Sequence, residues 1–390
     1  MHELLFSQYQ DHVLAGWLGK SIGGTVGACV ENQKTFHNFN EDTIWPAKIV
    51  PNDDLDLQIL WLEAMQEYGI DIGSETLAKA WQERCWYNFC EYGVFLHNIQ
   101  RGIYPPLSGK WNNDFFGESE GCVIRSEIWG FISPGNSELA AELARRDAQI
   151  DHYGLSIEIE AFWAACMSEA LIGGDLERQL QAGISVVSRE SQAVYAVEYV
   201  KWICSQTKEH KKAWRLLVRE FGDRDASKAI TNHAIVLLAL MLGGGDFKKT
   251  VLLAVNSGWD TDCTAATAGA ILAAWKGTAG LPKDWVSKIG IRVLCGIKVK
   301  HQNALFTELA EQTCRLGVEY AALRNKNVSF LQAAPSQIRS FNKPVIDLSV
   351  EYPSGPVLKR DLITPINLQI MSDSAAEQAA SVSLSSDDRL

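Results

Sequence analysis

The chain is 390 residues long and lacks several features that would place it quickly. It carries nine cysteines but no CxxC pair, and they fall at scattered positions, from Cys29 to Cys314. An odd, unpaired set among apolar neighbours reads as small buried hydrophobes, which excludes a disulfide framework or a cysteine-rich zinc module. That usage fits a reducing compartment and predicts a cytosolic protein. The first residues, MHELLFSQYQDHVLAG, have no basic segment followed by an apolar one, so no secretory signal is expected. The longest apolar run, Ala234 to Leu242, stops at Gly243. It falls far short of the roughly 20 residues that span a bilayer. Basic runs are missing too, and 36 Lys and Arg stand against 47 Asp and Glu, a net charge of −11. Neither a nucleic acid nor a membrane is therefore expected as a partner. No repeat of fixed period is present.

Apolar residues recur instead at helical spacing up to about residue 323. LQILWLEAMQEYG (57–69), ETLAKAWQERCWYNFCEYG (75–93) and ELAAELARRDAQI (138–150) show it, as do 156–172, 190–206, 226–242, 262–277 and 302–323. Two stretches are rich in small residues. One holds Gly16, Gly19, Gly23 and Gly27; the other holds Ala265, Ala266, Ala268, Gly269, Ala270, Ala273 and Ala274. Glycine inside a helix costs about 1 kcal/mol relative to alanine, so a stripe of it implies backbones in close approach at the centre of a bundle. The fold class is all-α, a compact multi-helix domain over residues 1–325. Residues 326–372 differ: PVIDLSVEY (344–352) and LITPINLQI (362–370) read as strands about the turn PSGP, a small C-terminal β appendage. The serine-rich residues 373–390 read as a disordered tail.

Two acidic clusters could do chemistry. Asn52, Asp53, Asp54 and Asp56 stand where a loop enters a helix, and Asp260 and Asp262 open the alanine-rich helix. Asp and Asn are favoured at helix starts in any case, and for one cluster alone that ordinary reading is as good as any other. Two clusters, each against an unusually small-residue helix, favour a shared hard cation bound through oxygen. A competing match exists for the second cluster. Asp260-Thr261-Asp262-Cys263-Thr264 fits the DxDxT loop of haloacid-dehalogenase-type phosphatases, but that fold needs a strand before the motif and alternating strands after it.

Four blocks in order resemble the ADP-ribosylglycohydrolase family: GWLGKSIGGTVGACVE (16–31), NDDLDLQ (52–58), GESEGCVIR (117–125) followed by Asp151-His152, and GWDTDCTAATAGAILAAWKG (258–277). The resemblance implies an all-α fold with two divalent cations, Mg²⁺ or Mn²⁺, that hydrolyses a glycosidic bond to the ribose of an ADP-ribose-like group. It implies that Asp53, Asp54, Asp260 and Asp262 ligate the metal, with Asn52 and Cys263 at the remaining ligand positions. Glu31 is implied in acid–base catalysis or in placing the attacking water, with Asp53 beside it. Ser119 and Gly121 fall in the loop implied to cradle phosphates, with Arg125 at its end and His152 lining the pocket. Such chemistry is coherent, since glycosidic cleavage wants a carboxylate near the anomeric carbon and a metal-activated water.

The departures from the family's pattern bear on the substrate. Asn52 and Cys263 each stand where a threonine ligates, and a thiol is a poor partner for Mg²⁺. Either one cation is lost, leaving one, or a softer metal is used, or water or backbone fills the gap. Gly24 replaces an acid, and Asp151 a threonine. Trp259 replaces a glycine, where an indole would narrow the pocket or offer a stacking face. Ordinary readings stand beside the functional ones: Glu31 as a solvated residue at a helix end, His152 as structural, Arg125 as a partner of Glu127 or of a helix end, and most of the thirteen tryptophans as core. Three functions remain: a hydrolase of ADP-ribosyl groups, a hydrolase of another ribosyl or nucleoside-like glycoside, and a non-catalytic binding or structural protein.

Overall fold

The computed structural model describes residues 2–332, together with two short strands, β3 (Ile370–Met371) and β4 (Ser381–Val382), which pair antiparallel. The appendage strand at 344–352, its turn and most of the serine-rich tail lie outside the described residues. Strand β1 (His2–Leu5) leads into α1 (Phe6–Gly27), and β2 (Val328–Leu331) returns to pair with β1 in parallel. Between them run α2 (Asp53–Tyr68), α3 (Ser74–Arg84), α4 (Cys90–Gln100), α5 (Ser126–Phe131), α6 (Ser137–Ala148), α7 (Leu155–Ala170) and α8 (Leu176–Ser185). There follow α9 (Gln192–Gln206), α10 (His210–Phe221), α11 (Ala229–Gly243), α12 (Phe247–Asn256), α13 (Thr261–Lys276), α14 (Lys283–Ile289) and α15 (Phe306–Leu323). The all-α expectation holds over the described residues.

The stripe of small residues joins α1 to α13. A Cβ added at Gly23 would lie 2.1 Å from the carbonyl oxygen of Ala265, and one at Gly19 would lie 2.5 Å from that of Gly269. One at Gly27 would meet the carbonyl oxygen of Thr261 at 2.3 Å. Backbone thus meets backbone along the length of both helices, and this contact fixes the start of α13 against the end of α1. By length and composition, residues 6–30 could cross a membrane, yet 78% of the apolar 18-residue stretch within them is buried in the protein. Trp17, Trp61, Trp81, Trp129, Trp163 and Trp285 are fully buried, as the core reading of the tryptophans expects.

The periodic stretch 75–93 is two helices, not one. The chain leaves α3 at Cys85 in an extended conformation. Trp86 then donates its indole N–H to the carbonyl of Gly296 at 3.0 Å, and the Tyr87 hydroxyl donates to Asp56 at 2.5 Å. These distant partners pull the segment out of the helix while its aromatic spacing continues through the break.

Candidate metal centre

The first acidic cluster is built by a helix cap. Asn52 Oδ1 accepts the backbone N–H of Asp54 at 2.7 Å, which starts α2 and leaves the amide nitrogen to donate to Asp262 Oδ2 at 3.2 Å. One side chain therefore fastens the start of α2 to the start of α13. The second cluster is placed by Asp260, which stands just before α13 and whose backbone N–H donates to Asn232 Oδ1 at 3.2 Å. Trp259, at φ +65°, pairs through its backbone with Gln33: its N–H donates to the Gln33 carbonyl at 3.1 Å, and the Asn32 N–H donates to the Trp259 carbonyl at 2.9 Å. That bridge brings the segment carrying Glu31 alongside Asp260.

The result is one acidic centre. Glu31, Asp260 and Asp262 each offer a carboxylate oxygen within 4.8 Å of the others, and so do Asp54 and Asp262 with the sulfur of Cys263. Asp54, Asp260 and Asp262 are buried. Asp54 Oδ2, Asp260 Oδ1 and Asp262 Oδ1 have no hydrogen-bond partner. Burial pushes Asp53 and Asp262 well above the usual carboxylate range, and the neighbouring acids push them further. Asp260 rises to about 7: burial dominates, hydrogen bonds with Asp262 and Cys263 work against it, and the charges of Glu31 and Asp54 add to the rise. Glu31 stands at the solvent edge with its carboxyl turned inwards, where burial and Asp54 raise it despite a bond from Asn32. Orphaned buried carboxylate oxygens on facing helix starts fit a divalent cation.

Lys20 provides the internal counter-charge. Its Nζ lies 3.1 Å from Asp54 Oδ1 and 3.0 Å from Glu127, and it is 1% exposed. Burial alone would lower its pKa, but Glu127 and Asp54 outweigh that and raise it. Gln58 completes the arrangement with a bond to Glu127 at 2.8 Å. Asp56, in contrast, turns out of the centre: its Oδ2 accepts from Tyr87 and from the Gly296 N–H at 2.9 Å.

The loop 117–125 forms a separate buried chain of polar contacts. Ser119 Oγ lies 3.0 Å from His152 Nε2, and His152 Nδ1 lies 2.7 Å from Asp151 Oδ1. Arg125 grips Asp151 at 2.8 and 2.9 Å and reaches Asp147 Oδ1 at 2.9 Å. A further bond runs to the carbonyl of Gly121 at 3.0 Å. Burial works against ionisation of Asp151, but Arg125 and His152 override it and hold the carboxyl well below the usual range. The guanidinium is fully buried and stacked 5.5 Å from Trp81, so it holds this loop together and does not face solvent. Its partners are Asp151 and Asp147, while Glu127 goes to Lys20. Trp259 likewise spends its indole internally. It donates to the Asp223 carbonyl at 3.0 Å, lies 6.3 Å from Trp214 and is 4% exposed, so it offers no open stacking face.

Comparison with known proteins decides the lineage. The sequence profile of the ADP-ribosylglycohydrolase family matches residues 6–317. The chain belongs to this family. A solved structure described as an ADP-ribosylglycohydrolase-related protein complex superposes with a TM-score of 0.54 at 20% identity, covering 80% of this chain and 99% of that one. At that identity the likeness speaks for the fold. No curated protein matches the chain.

Within this ADP-ribosylglycohydrolase fold, three residues at the centre escaped the sequence reading: Lys20, Glu120 and Tyr92. Glu120 is 1% exposed with no partner for either carboxylate oxygen. Burial drives it well above the carboxylate range, helped by Asp260 and Asp54. Tyr92 donates to the Gly121 carbonyl at 3.3 Å and reaches Asp53 at 3.5 Å. A glutamate inside a Gly/Ser loop was the available signal for Glu120. Lys20, in the midst of a glycine-rich apolar helix, was another, since a buried charge needs a partner.

Proposed function

We propose that this family member is a metal-dependent hydrolase that cleaves an N- or O-glycosidic bond to the ribose of an ADP-ribosyl-type substrate. The observation that carries the reading is the set of unpartnered carboxylate oxygens of Asp54, Asp260 and Asp262, buried together beside Glu31. Asp53, Asp54, Asp260 and Asp262 would hold Mg²⁺ or Mn²⁺. When bound, the cation supplies a lowered pKa for a coordinated water and a grip on ribose hydroxyls. Asn52 holds Asp262 in place, and Asp53 with Glu31 stands where a water's proton would be taken. Glu120 ties the loop to the acidic centre, while fully buried Ser119 bonds to His152, whose ring Asp151 fixes.

Glu120 favours a second reading, in which the ribosyl substrate carries no diphosphate. An orphaned carboxylate between Ser119 and Gly121 suits a hydroxyl or amine donor better than a phosphate. The nine cysteines are all free thiols, which supports the reducing, cytosolic setting.

The test compares hydrolysis of ADP-ribosyl-arginine, ADP-ribosyl-serine and simple nucleosides with Mg²⁺ and with Mn²⁺. Turnover of the ADP-ribosyl compounds supports the first reading, and turnover of nucleosides alone supports the second. Asp53→Ala together with Asp260→Ala should abolish stabilisation by divalent cations. A double variant that still gained several degrees in Mn²⁺ would show that the cation binds elsewhere.

A further inference from the structure

The two donor sets of the acidic centre are chemically unlike. Glu31, Asp260 and Asp262 offer oxygen alone, whereas Asp54, Asp262 and Cys263 combine two carboxylates with a sulfur. Asp262 belongs to both, so the sets describe adjoining positions that share one ligand. In the second, Lys20 occupies Asp54 Oδ1 and Asn52 occupies Asp262 Oδ2, which leaves Asp54 Oδ2 and Asp262 Oδ1 without partners beside the sulfur. Both aspartates and the cysteine are buried. The Cys263 side chain hydrogen-bonds the Asp260 carboxylate, so its sulfur is turned towards the acids and away from the apolar core.

We propose that the centre is unsymmetrical: the position bounded by Asp54, Asp262 and Cys263 takes a borderline-soft divalent cation such as Zn²⁺, Fe²⁺ or Co²⁺ through the thiolate. The position bounded by Glu31, Asp260 and Asp262 takes a hard one, Mg²⁺ or Mn²⁺. This rests on the reading of the centre as a metal site. Sulfur selects softer cations and all-oxygen sets select harder ones. The thiolate is the ligating form, so each soft cation that binds forms one metal–sulfur bond and releases the thiol proton to solvent.

Cobalt reports the bond directly. Full-length protein stripped with a chelator and held in excess Mg²⁺ is titrated with Co²⁺ while the near-ultraviolet sulfur-to-cobalt charge-transfer band and proton release are followed. The expected result is a band that saturates at one Co²⁺ per chain, with one proton released. Cys263→Ser should lose the band and weaken Co²⁺ binding at least tenfold, the scale on which lost metal partners are felt. Stabilisation by Mg²⁺ should survive. The exposed Cys29 and Cys90 are controlled by a Cys29→Ser, Cys90→Ser double variant, which should keep the band. Co²⁺ bound without the band in wild type, or a band indifferent to Cys263→Ser, overturns the proposal. Hydrolysis supported by Mg²⁺ with no sulfur–cobalt band would overturn it while leaving the hydrolase reading intact. Failure to bind any divalent cation would overturn both.

Discussion

Substituting Gly23 by alanine sets two known effects against each other. In an isolated helix the change stabilises by about 1 kcal/mol. In α1 the new Cβ would sit 2.1 Å from the Ala265 carbonyl oxygen, 2.4 Å from its carbon and 2.6 Å from the Ala266 nitrogen. All three are backbone atoms of α13, which no rotamer change can move. Reaching an ordinary contact of about 3.5 Å needs the helices to part by about 1.4 Å. Overpacking that is relieved by backbone shifts costs about 1–3 kcal/mol, and here the same opening would loosen the Gly19 and Gly27 contacts on either side. Three backbone atoms are met at once, which puts the packing cost in the upper part of that range, about 2–3 kcal/mol, so a net loss of about 1–2 kcal/mol remains after the helix gain is set against it. The opening also moves Asp262 away from Asn52, so divalent affinity should fall with stability. Gly24→Ala is the control. Its Cβ would meet only the Asn52 side-chain amide, at 3.1 Å, a contact relieved by a few tenths of an ångström, so the stability loss should be smaller than at Gly23. Urea unfolding of both variants, with and without Mn²⁺, reads the comparison. A Gly23→Ala protein as stable as wild type, or more stable, would refute the claim that α1 and α13 meet backbone to backbone.

Lys20→Met removes the cation shared by Asp54 and Glu127, and breaking a buried pair in this way costs about 3–5 kcal/mol. Urea unfolding checks it, and a neutral or stabilising result would show that the ammonium is dispensable. Arg125→Lys loses the two-pronged grip on Asp151 and should cost about 3 kcal/mol in the same assay. A variant of wild-type stability with impaired ligand binding would instead return Arg125 to the ligand. His233 is fully buried against Phe162 and Trp163, and burial lowers its pKa from 6.5 to about 4 against the bond to the Ala193 carbonyl. The unfolded chain then binds the extra proton between those values. The neutral ring's contribution is complete above pH 6.5 and is lost as pH falls towards 4, a change of about 3 kcal/mol. Stability measured against pH should flatten over this window in His233→Gln, and an unchanged slope would remove His233 as its cause.

The fold was legible where sequence pattern and packing coincide. Gly16 to Gly27 and Ala265 to Ala274 announce a close helix pair because a small residue at each contact is the sequence trace of backbones touching. The break at Cys85–Phe89 was illegible because its cause is not local. Tyr87 and Trp86 leave the helix for Asp56 and for Gly296, and nothing between residues 75 and 93 encodes the position of residue 296. The same holds for β1 and β2, whose pairing joins segments more than three hundred residues apart.

The centre divides in the same way. Adjacent acids opening an apolar helix are visible in one dimension, so Asp54, Asp260 and Asp262, which the structure gathers, could be named, whereas Asp53 opens α2 beside them and joins neither ligand group. Arg125 could not be placed, because whether a guanidinium reaches a ligand or another side chain depends on what the fold brings to it. Here Asp147 comes from α6 and Asp151 from just beyond its end, on either side of the guanidinium. Trp259 was misleading for a related reason: at a glycine's position a bulky residue suggests a filled pocket, yet φ +65° turns the indole towards Asp223 and Trp214. With Arg125 committed to aspartates of its own loop and Lys20 to Asp54 and Glu127, neither can neutralise Asp53, Asp260, Asp262 and Glu31. Their charge has to be met by protons, which burial already favours, or by a cation from solvent. Protons satisfy it only while the carboxyls stay acids. The oxygens of Asp54, Asp260 and Asp262 that have no hydrogen-bond partner stand together with Glu31, the arrangement a cation bound through oxygen would satisfy.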